Sequence, residues 1–178
     1  MPKWAEATEE TRDYYENEWG RAPISDNQVF EILSLLTFQA GLTWATVLSK
    51  REALREAFYN FDIPQVAKMD EEDVKRLVRG GSPIKNERKI RAVIQNAQAV
   101  MEYRSALRSE LRANALVAVL EGSAGKPGVW PAYGEEQITL LRHFFDDWGF
   151  TFTGPKVIRA LVESFGLDLP WLEDPHAA

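Results

Sequence analysis

The 178-residue sequence has no cysteine. Disulfides and thiolate metal centres are therefore excluded, and a reducing compartment such as the cytoplasm is the expectation. Two histidines, His143 and His176, are too few and too far apart to suggest a zinc site by themselves. No apolar run approaches the roughly 18 residues of a membrane-spanning helix. The first twenty residues, "MPKWAEATEETRDYYENEWG", are polar and acidic, unlike a secretory signal. Strand-like alternation, internal repeats and low-complexity tracts are also missing. The chain is 45% hydrophobic, enough for a sizeable core. One domain spanning residues 1–178 is the expectation from its length.

What is present reads as helix nearly throughout. Ser25 and Gln28 have capping-box spacing ahead of "VFEILSLLTF", in which seven of ten residues are large and apolar. That helix is expected to be buried on most sides and to end at Gly41. A second helix is expected from Thr43 through "WATVLSKREALREAF", a short one around "IPQVAKM", and one capped by Asp70 over "EEDVKRLVR". From Glu87 onward, Ile90, Val93, Ile94, Ala97, Val100 and Met101 form an amphipathic stripe. Further helices are expected over 109–121, 135–147 and 155–165, with "EGSAGKPGVWPAYG" as a Gly/Pro-rich loop. The fold class is all-α, a globule of about eight helices.

Charge is unevenly spread. The net charge of −6 argues against nucleic acid. Residues 1–31 hold eight acids and three bases, whereas residues 75–91, "KRLVRGGSPIKNERKIR", hold seven bases and one acid. Such an island can form a DNA footprint or a solvated helix face. It coincides with a helix–turn–helix spacing whose turn, "GGSPIKN", offers backbone N–H groups to a phosphate. An ordinary αα-hairpin has the same pattern, and Pro83 removes one donor.

Aromatic density marks the N-terminus: Trp4, Tyr14, Tyr15 and Trp19 fall within sixteen residues. Rings in this number can wall a flat ligand, since stacking on a base contributes about 1–3 kcal/mol. They can equally staple the arm to the body. The carboxylates Glu16, Glu18 and Glu31 lie nearby in sequence and are expected to be exposed or capping acids. "SLLTFQAGLTW" (34–44) ends a greasy helix and delivers Trp44 to the start of the next.

Together, "YYENEWG" (14–20), "QAGLTWATVLSKRE" (39–52), "EEDVKRLV" (71–78), "KIRAVIQNAQA" (89–99) and "GFTFTGP" (149–155) resemble the DNA-3-methyladenine glycosylase I family of helix–hairpin–helix enzymes. The likeness covers most of 1–101 and about 149–167, while 102–148 diverges. It implies a monofunctional base-excision repair glycosylase that flips an alkylated purine, chiefly 3-methyladenine, from double-stranded DNA and hydrolyses its glycosidic bond. By motif match, Trp44 is the stacking platform, Tyr14 a hydrogen-bonding pocket residue, and Trp4 and Trp19 pocket walls. Gly81, Ser82, Lys85, Arg88 and Lys89 fall in the DNA-gripping hairpin. No residue receives a catalytic acid or base role. The expected enzyme is a cytoplasmic monomer with no membrane association.

The sequence departs from the family at three sites. A family glutamate lies three residues ahead of the pocket glutamine; here that position is Leu36. The family's structural zinc is held by two cysteines and two histidines. Here Tyr15 replaces the first histidine, Trp171 sits about where the second is expected, and His176 is a poor substitute. No cofactor is therefore expected, with Tyr15 and Trp171 packing the termini instead. The hairpin glycine appears as Ser82 beside Gly80 and Gly81. A hydrogen bond to a charged group contributes roughly 1.5–3 kcal/mol. Leu36 thus implies altered base selection, or a relative that binds damaged DNA and cleaves it weakly.

Overall fold

The computed structural model describes residues 1–122 and 135–167. Most of the predicted Gly/Pro-rich loop, Trp171 and His176 lie outside the described residues. Ten α-helices are found there: α1 (Glu9–Asn17), α2 (Asp26–Gln39), α3 (Trp44–Leu48), α4 (Arg51–Ala57), α5 (Ile63–Ala67), α6 (Glu71–Arg76), α7 (Glu87–Ala106), α8 (Ala115–Gly122), α9 (Glu135–Asp147) and α10 (Pro155–Ser164). No strand occurs among the described residues. None of their helices is long and apolar enough to cross a membrane.

Helix α2 is the centre of the core. Ser25 caps it by accepting from the Gln28 N–H, and every residue from Val29 to Phe38 is buried. The two hydroxyls in that buried run are satisfied within the helix. Ser34 donates to the Phe30 carbonyl at 2.7 Å and Thr37 to that of Leu33 at 3.0 Å. Helices α3, α7, α8 and α10 all pack on α2. The predicted amphipathic stripe of α7 is buried from Ile90 through Val100 and packs on α5, whereas Met101 is exposed.

Several expected boundaries are corrected. The continuous helix expected from Thr43 to Phe58 breaks at Ser49–Lys50, where the Ser49 hydroxyl donates to the Thr46 carbonyl and competes with helix propagation. Helix α4 is then followed by a left-handed turn, Tyr59–Phe61, with φ of 53–54° at three successive residues. The helix expected over 109–121 is a 3₁₀ turn, Ser109–Leu111, and then α8. Its start is set from afar: the Asp26 carboxylate accepts the Leu116 and Val117 N–H groups at 2.8 and 3.0 Å and pairs with Arg104 at 2.9 Å. Helix α1 lies in the stretch read only as an aromatic arm. Thr8 and Thr11 cap each other reciprocally there, at 3.2 and 2.9 Å.

The divergent region is tied to this core by rings. Tyr103 on α7 meets Phe144 and Trp148 of the α9 segment edge-on, at 4.9 and 5.0 Å. The "GFTFTGP" loop is gripped by Asn96, whose side chain accepts the Thr151 N–H at 2.8 Å and donates to its carbonyl at 3.0 Å. Phe152 is held there at φ 58°, with the Arg88 guanidinium 5.4 Å above its ring.

Candidate functional site: an aromatic cavity and its neighbouring hairpin

A cavity of about 290 Å³ lies between the N-terminal arm, the α2–α3 junction and α10. Trp4, Tyr14, Trp19, Leu36 and Trp44 line it together. The five residues assigned to a pocket from sequence therefore share one space. Tyr14 meets Trp44 edge-on at 5.5 Å, and Trp4 meets Trp19 edge-on at 6.0 Å. Gly41, at φ 79°, makes the tight turn that brings Trp44 back beside the end of α2. Leu36 is 5% exposed and presents an apolar surface on the α2 wall. The remaining described lining is Gln39, Ala160, Glu163 and Ser164. Sequence reading missed the α10 contribution, because 160–164 are about 120 residues from the wall they face.

Tyr14 is buried, and that burial raises its hydroxyl pKa to about 12, with a Ser164 hydrogen bond and the Arg51 charge opposing the rise. It meets a ligand as a neutral phenol. Ser164 donates to the Ala160 carbonyl at 2.7 Å. The Gly20 N–H donates to the Ser164 carbonyl at 2.9 Å, which fastens the arm to α10. Tyr15 stacks on Trp19 at 5.3 Å and meets the Trp4 edge at 5.8 Å. It thus occupies the first zinc-ligand position as a packing ring. The donor set for that metal does not fit this chain: cysteine is absent from the sequence. No grouping of His, Cys, Asp or Glu among the described residues is arranged to hold a metal.

Two of the carboxylates expected to be exposed or capping do something else. Glu18 and Glu31 clamp Arg51. Its Nη1 and Nη2 donate to the two Glu18 oxygens at 2.6 and 2.8 Å, and its Nε donates to Glu31 at 2.7 Å. Arg55 also donates to Glu31, at 2.8 Å. Burial works against the Arg51 charge, but hydrogen bonds to Glu18 and Glu31 outweigh it and raise its pKa. Glu16 is exposed, as expected.

The hairpin joins α6 to α7 through a π turn, Leu77–Gly81, and the segment up to the Asn86 cap. Gly80 has φ 149°. A side chain at Gly81 would press the Arg76 carbonyl at 3.1 Å. The basic island resolves into distinct roles. Lys75, Arg76 and Arg91 are paired with acids at 2.7, 2.8 and 2.6 Å. Arg79, Lys85 and Arg88 are exposed and have no carboxylate partner among the described residues. Arg79 was not picked out from sequence, although it sits inside the island.

Two expectations for the hairpin are corrected. Lys89 is 7% exposed, and its ammonium donates to the carbonyls of Phe38 and Ala40 at 2.8 and 2.5 Å. It closes the C-terminal end of α2 rather than facing a phosphate, and burial lowers its pKa. Ser82 is 1% exposed. Its hydroxyl donates to the Ile84 carbonyl at 2.8 Å, and its N–H is taken by Leu77.

The described elements define an all-α protein whose aromatic cavity adjoins a helical hairpin through the Lys89 link. The profile of the methyladenine glycosylase family matches residues 4–173. Over 89 residues the chain is 46% identical to DNA-3-methyladenine glycosylase 1 of Escherichia coli K12, covering 50% of this chain and 48% of that one. The chain spans about half the length of the curated relatives it matches. Two solved structures are similar over nearly the whole chain. One, describing 3-methyladenine recognition by 3-methyladenine DNA glycosylase I from Staphylococcus aureus, has a TM-score of 0.79 at 26% identity and covers 94% of this chain and 90% of that one. Another 3-methyladenine DNA glycosylase I has a TM-score of 0.73 at 31% identity, covering 91% and 90%. The chain belongs to the methyladenine glycosylase family.

Proposed function

We propose that the protein is a monofunctional DNA glycosylase that flips an alkylated purine, 3-methyladenine first, out of double-stranded DNA and releases it by hydrolysis. The observation that carries this reading is the cavity in which Trp4, Tyr14, Trp19 and Trp44 converge. A flipped base enters the ring box, stacked on Trp44, while the Tyr14 hydroxyl hydrogen-bonds its edge. A 3-alkylated adenine in DNA is already cationic, so it leaves as a neutral base and needs no protonation by the enzyme. Ring faces favour that cation by roughly 0.5–2 kcal/mol. Holding the nucleotide and a water in line supplies the rest. No lysine lines the described cavity, and the reading includes no Schiff base.

Gly81, Lys85 and Arg88, together with Arg79, grip the DNA backbone without reading sequence. The enzyme acts as a single-domain cytoplasmic monomer without a metal or other cofactor. Leu36 favours a second reading, in which the base preference is changed or cleavage is weak while lesion binding persists. Both are tested by incubating the protein with DNA treated with N-methyl-N-nitrosourea and separating the released bases. Release of 3-methyladenine above the heat background is expected. Release of another base supports changed selection, and no release with retained binding to abasic DNA overturns the enzyme reading.

A further inference from the structure

A second cavity, of about 460 Å³, opens between the start of α7 and the "GFTFTGP" loop. Arg88, Arg91, Gln95 and Phe152 are among its walls. The two arginines differ in what they hold. Arg91 is committed to Glu71 and Glu87, at 2.6 and 2.8 Å, and Glu87 is the acid of the same wall. Arg88 is exposed and has no carboxylate partner among the described residues. Its guanidinium carbon lies 5.4 Å from the centre of the Phe152 ring.

The backbone at Phe152 is strained. Its φ of 58° lies in the left-handed region, which a bulky side chain rarely enters. Such a conformation persists only where the surroundings over-determine it. Here two consecutive side chains of α7 supply that hold. The Gln95 amide donates to the Gly149 carbonyl at 2.9 Å. Asn96 accepts the Thr151 N–H at 2.8 Å and donates to the Thr151 carbonyl at 3.0 Å. Phe150 and Thr153, on either side, are buried. The loop so fixed sets its ring against the α7 face that carries Arg88, Arg91 and Gln95, at i, i+3 and i+7.

An exposed arginine loses rotamer freedom when it grips a phosphate. A ring beneath the guanidinium removes part of that loss in advance, because it attracts the cation and limits where it can swing. The ring covers one face of the group and leaves the N–H edge for phosphate oxygens. Lys85 and Arg79 make no such ring contact among the described residues.

We infer that Phe152 is a positioning residue for DNA binding, holding the Arg88 guanidinium ready for a backbone phosphate and so extending the grip from the hairpin to the loop ahead of α10. This rests on the reading of the hairpin as the DNA-gripping element.

The test measures binding of the full-length protein to an undamaged DNA duplex by fluorescence anisotropy over a range of salt. Arg88→Ala should lower the slope of log affinity against log salt by about one, as the loss of one phosphate contact does. Phe152→Gly removes the ring and suits the left-handed backbone, so the loop keeps its path. It should weaken binding about threefold, within the range of a cation–π contact, and lower the slope in the same direction. Phe152→Tyr, which keeps a ring, should bind like the wild type. In an Arg88→Ala background, Phe152→Gly should weaken binding no further. Phe152→Asn also tolerates that backbone and decides the matter if the glycine variant does not fold. Wild-type affinity in Phe152→Gly overturns the positioning role, as does an equal loss with and without Arg88. A Phe152→Tyr variant as weak as Phe152→Gly overturns it too. In these cases a lowered slope in Arg88→Ala leaves the hairpin reading standing. An unchanged slope in Arg88→Ala overturns the role by removing Arg88 from the DNA contacts. A wild type that binds no duplex overturns the DNA reading with it.

Discussion

Arg51 holds both carboxylate oxygens of Glu18, at 2.6 and 2.8 Å, from a position twenty residues beyond the buried Glu31. Because the same guanidinium also donates to Glu31, it joins the end of the aromatic arm to α2 and α4. Its carbon lies 5.9 Å from the centre of the Tyr14 ring, so the clamp forms the floor under one pocket wall. Replacing Arg51 with methionine would leave Glu31 buried with only Arg55 to compensate it. Removing one partner of a buried pair costs about 3–5 kcal/mol. The Arg51→Met variant should lose stability on that scale in urea denaturation. A loss below about 1 kcal/mol would show that the clamp is solvated in solution.

The hairpin lysines should behave oppositely although they are four residues apart. Lys85 is exposed, and each phosphate it neutralises adds about 0.9 to the slope of log affinity against log salt. Lys85→Ala should weaken binding to duplexes of any sequence and lower that slope by about one. Lys89→Met should leave the slope unchanged and instead destabilise the fold by about 1–3 kcal/mol, since two carbonyls lose a charged donor. A lowered slope in Lys89→Met would return that residue to the DNA contacts.

Tyr14 should make the fold alkali-sensitive. Its hydroxyl pKa is raised from 10.0 to about 12, mainly by burial. The folded state therefore holds the proton more tightly than the unfolded chain. That contribution is full below about pH 10 and is lost as the pH rises toward 12. Tyr103 is shifted in the same direction, so the diagnostic is a difference. Urea midpoints of wild type and Tyr14→Phe should diverge between pH 10 and 12, with the wild type falling faster. Parallel curves would mean that Tyr14 is not buried in solution.

Gly166 follows α10 at φ 70°, and a Cβ there would run into the Gly20 carbonyl. Gly166→Ala should push the aromatic arm off α10. A residue forced into an incompatible conformation destabilises by more than about 1 kcal/mol. The change should also weaken 3-methyladenine binding, because the Gly20–Ser164 bond across that seam lies beside Trp19 and Ser164, which both line the cavity. Retained stability and binding would show that the seam yields without disturbing the pocket.

Much of the architecture is legible in the chain itself. Ser25, Asp70 and Asn86 cap the helices that follow them by bonds within three residues, and local spacing is enough to see them. The apolar run of α2 announces burial because seven large side chains in ten leave no face for water. Likewise Trp4, Tyr14, Trp19 and Trp44 stand out by type and spacing, and they do line one cavity. Boundaries governed by distant partners were not legible. Helix α8 starts where Asp26, ninety residues earlier, accepts its first N–H groups.

By itself, the sequence determined the helical class, the central helix, the ring-bearing segments and the missing acid at Leu36, since these depend on residue type and short-range period. Only the tertiary structure decided which charges are free and which are spent. Lys89 and Arg88 are neighbours in one basic run, yet one closes α2 and the other faces solvent. Glu18 and Glu31 are ordinary acids in the sequence and a buried clamp in the fold. A charge is worth little in water and much in a partly desolvated cleft, and desolvation depends on which distant segments meet.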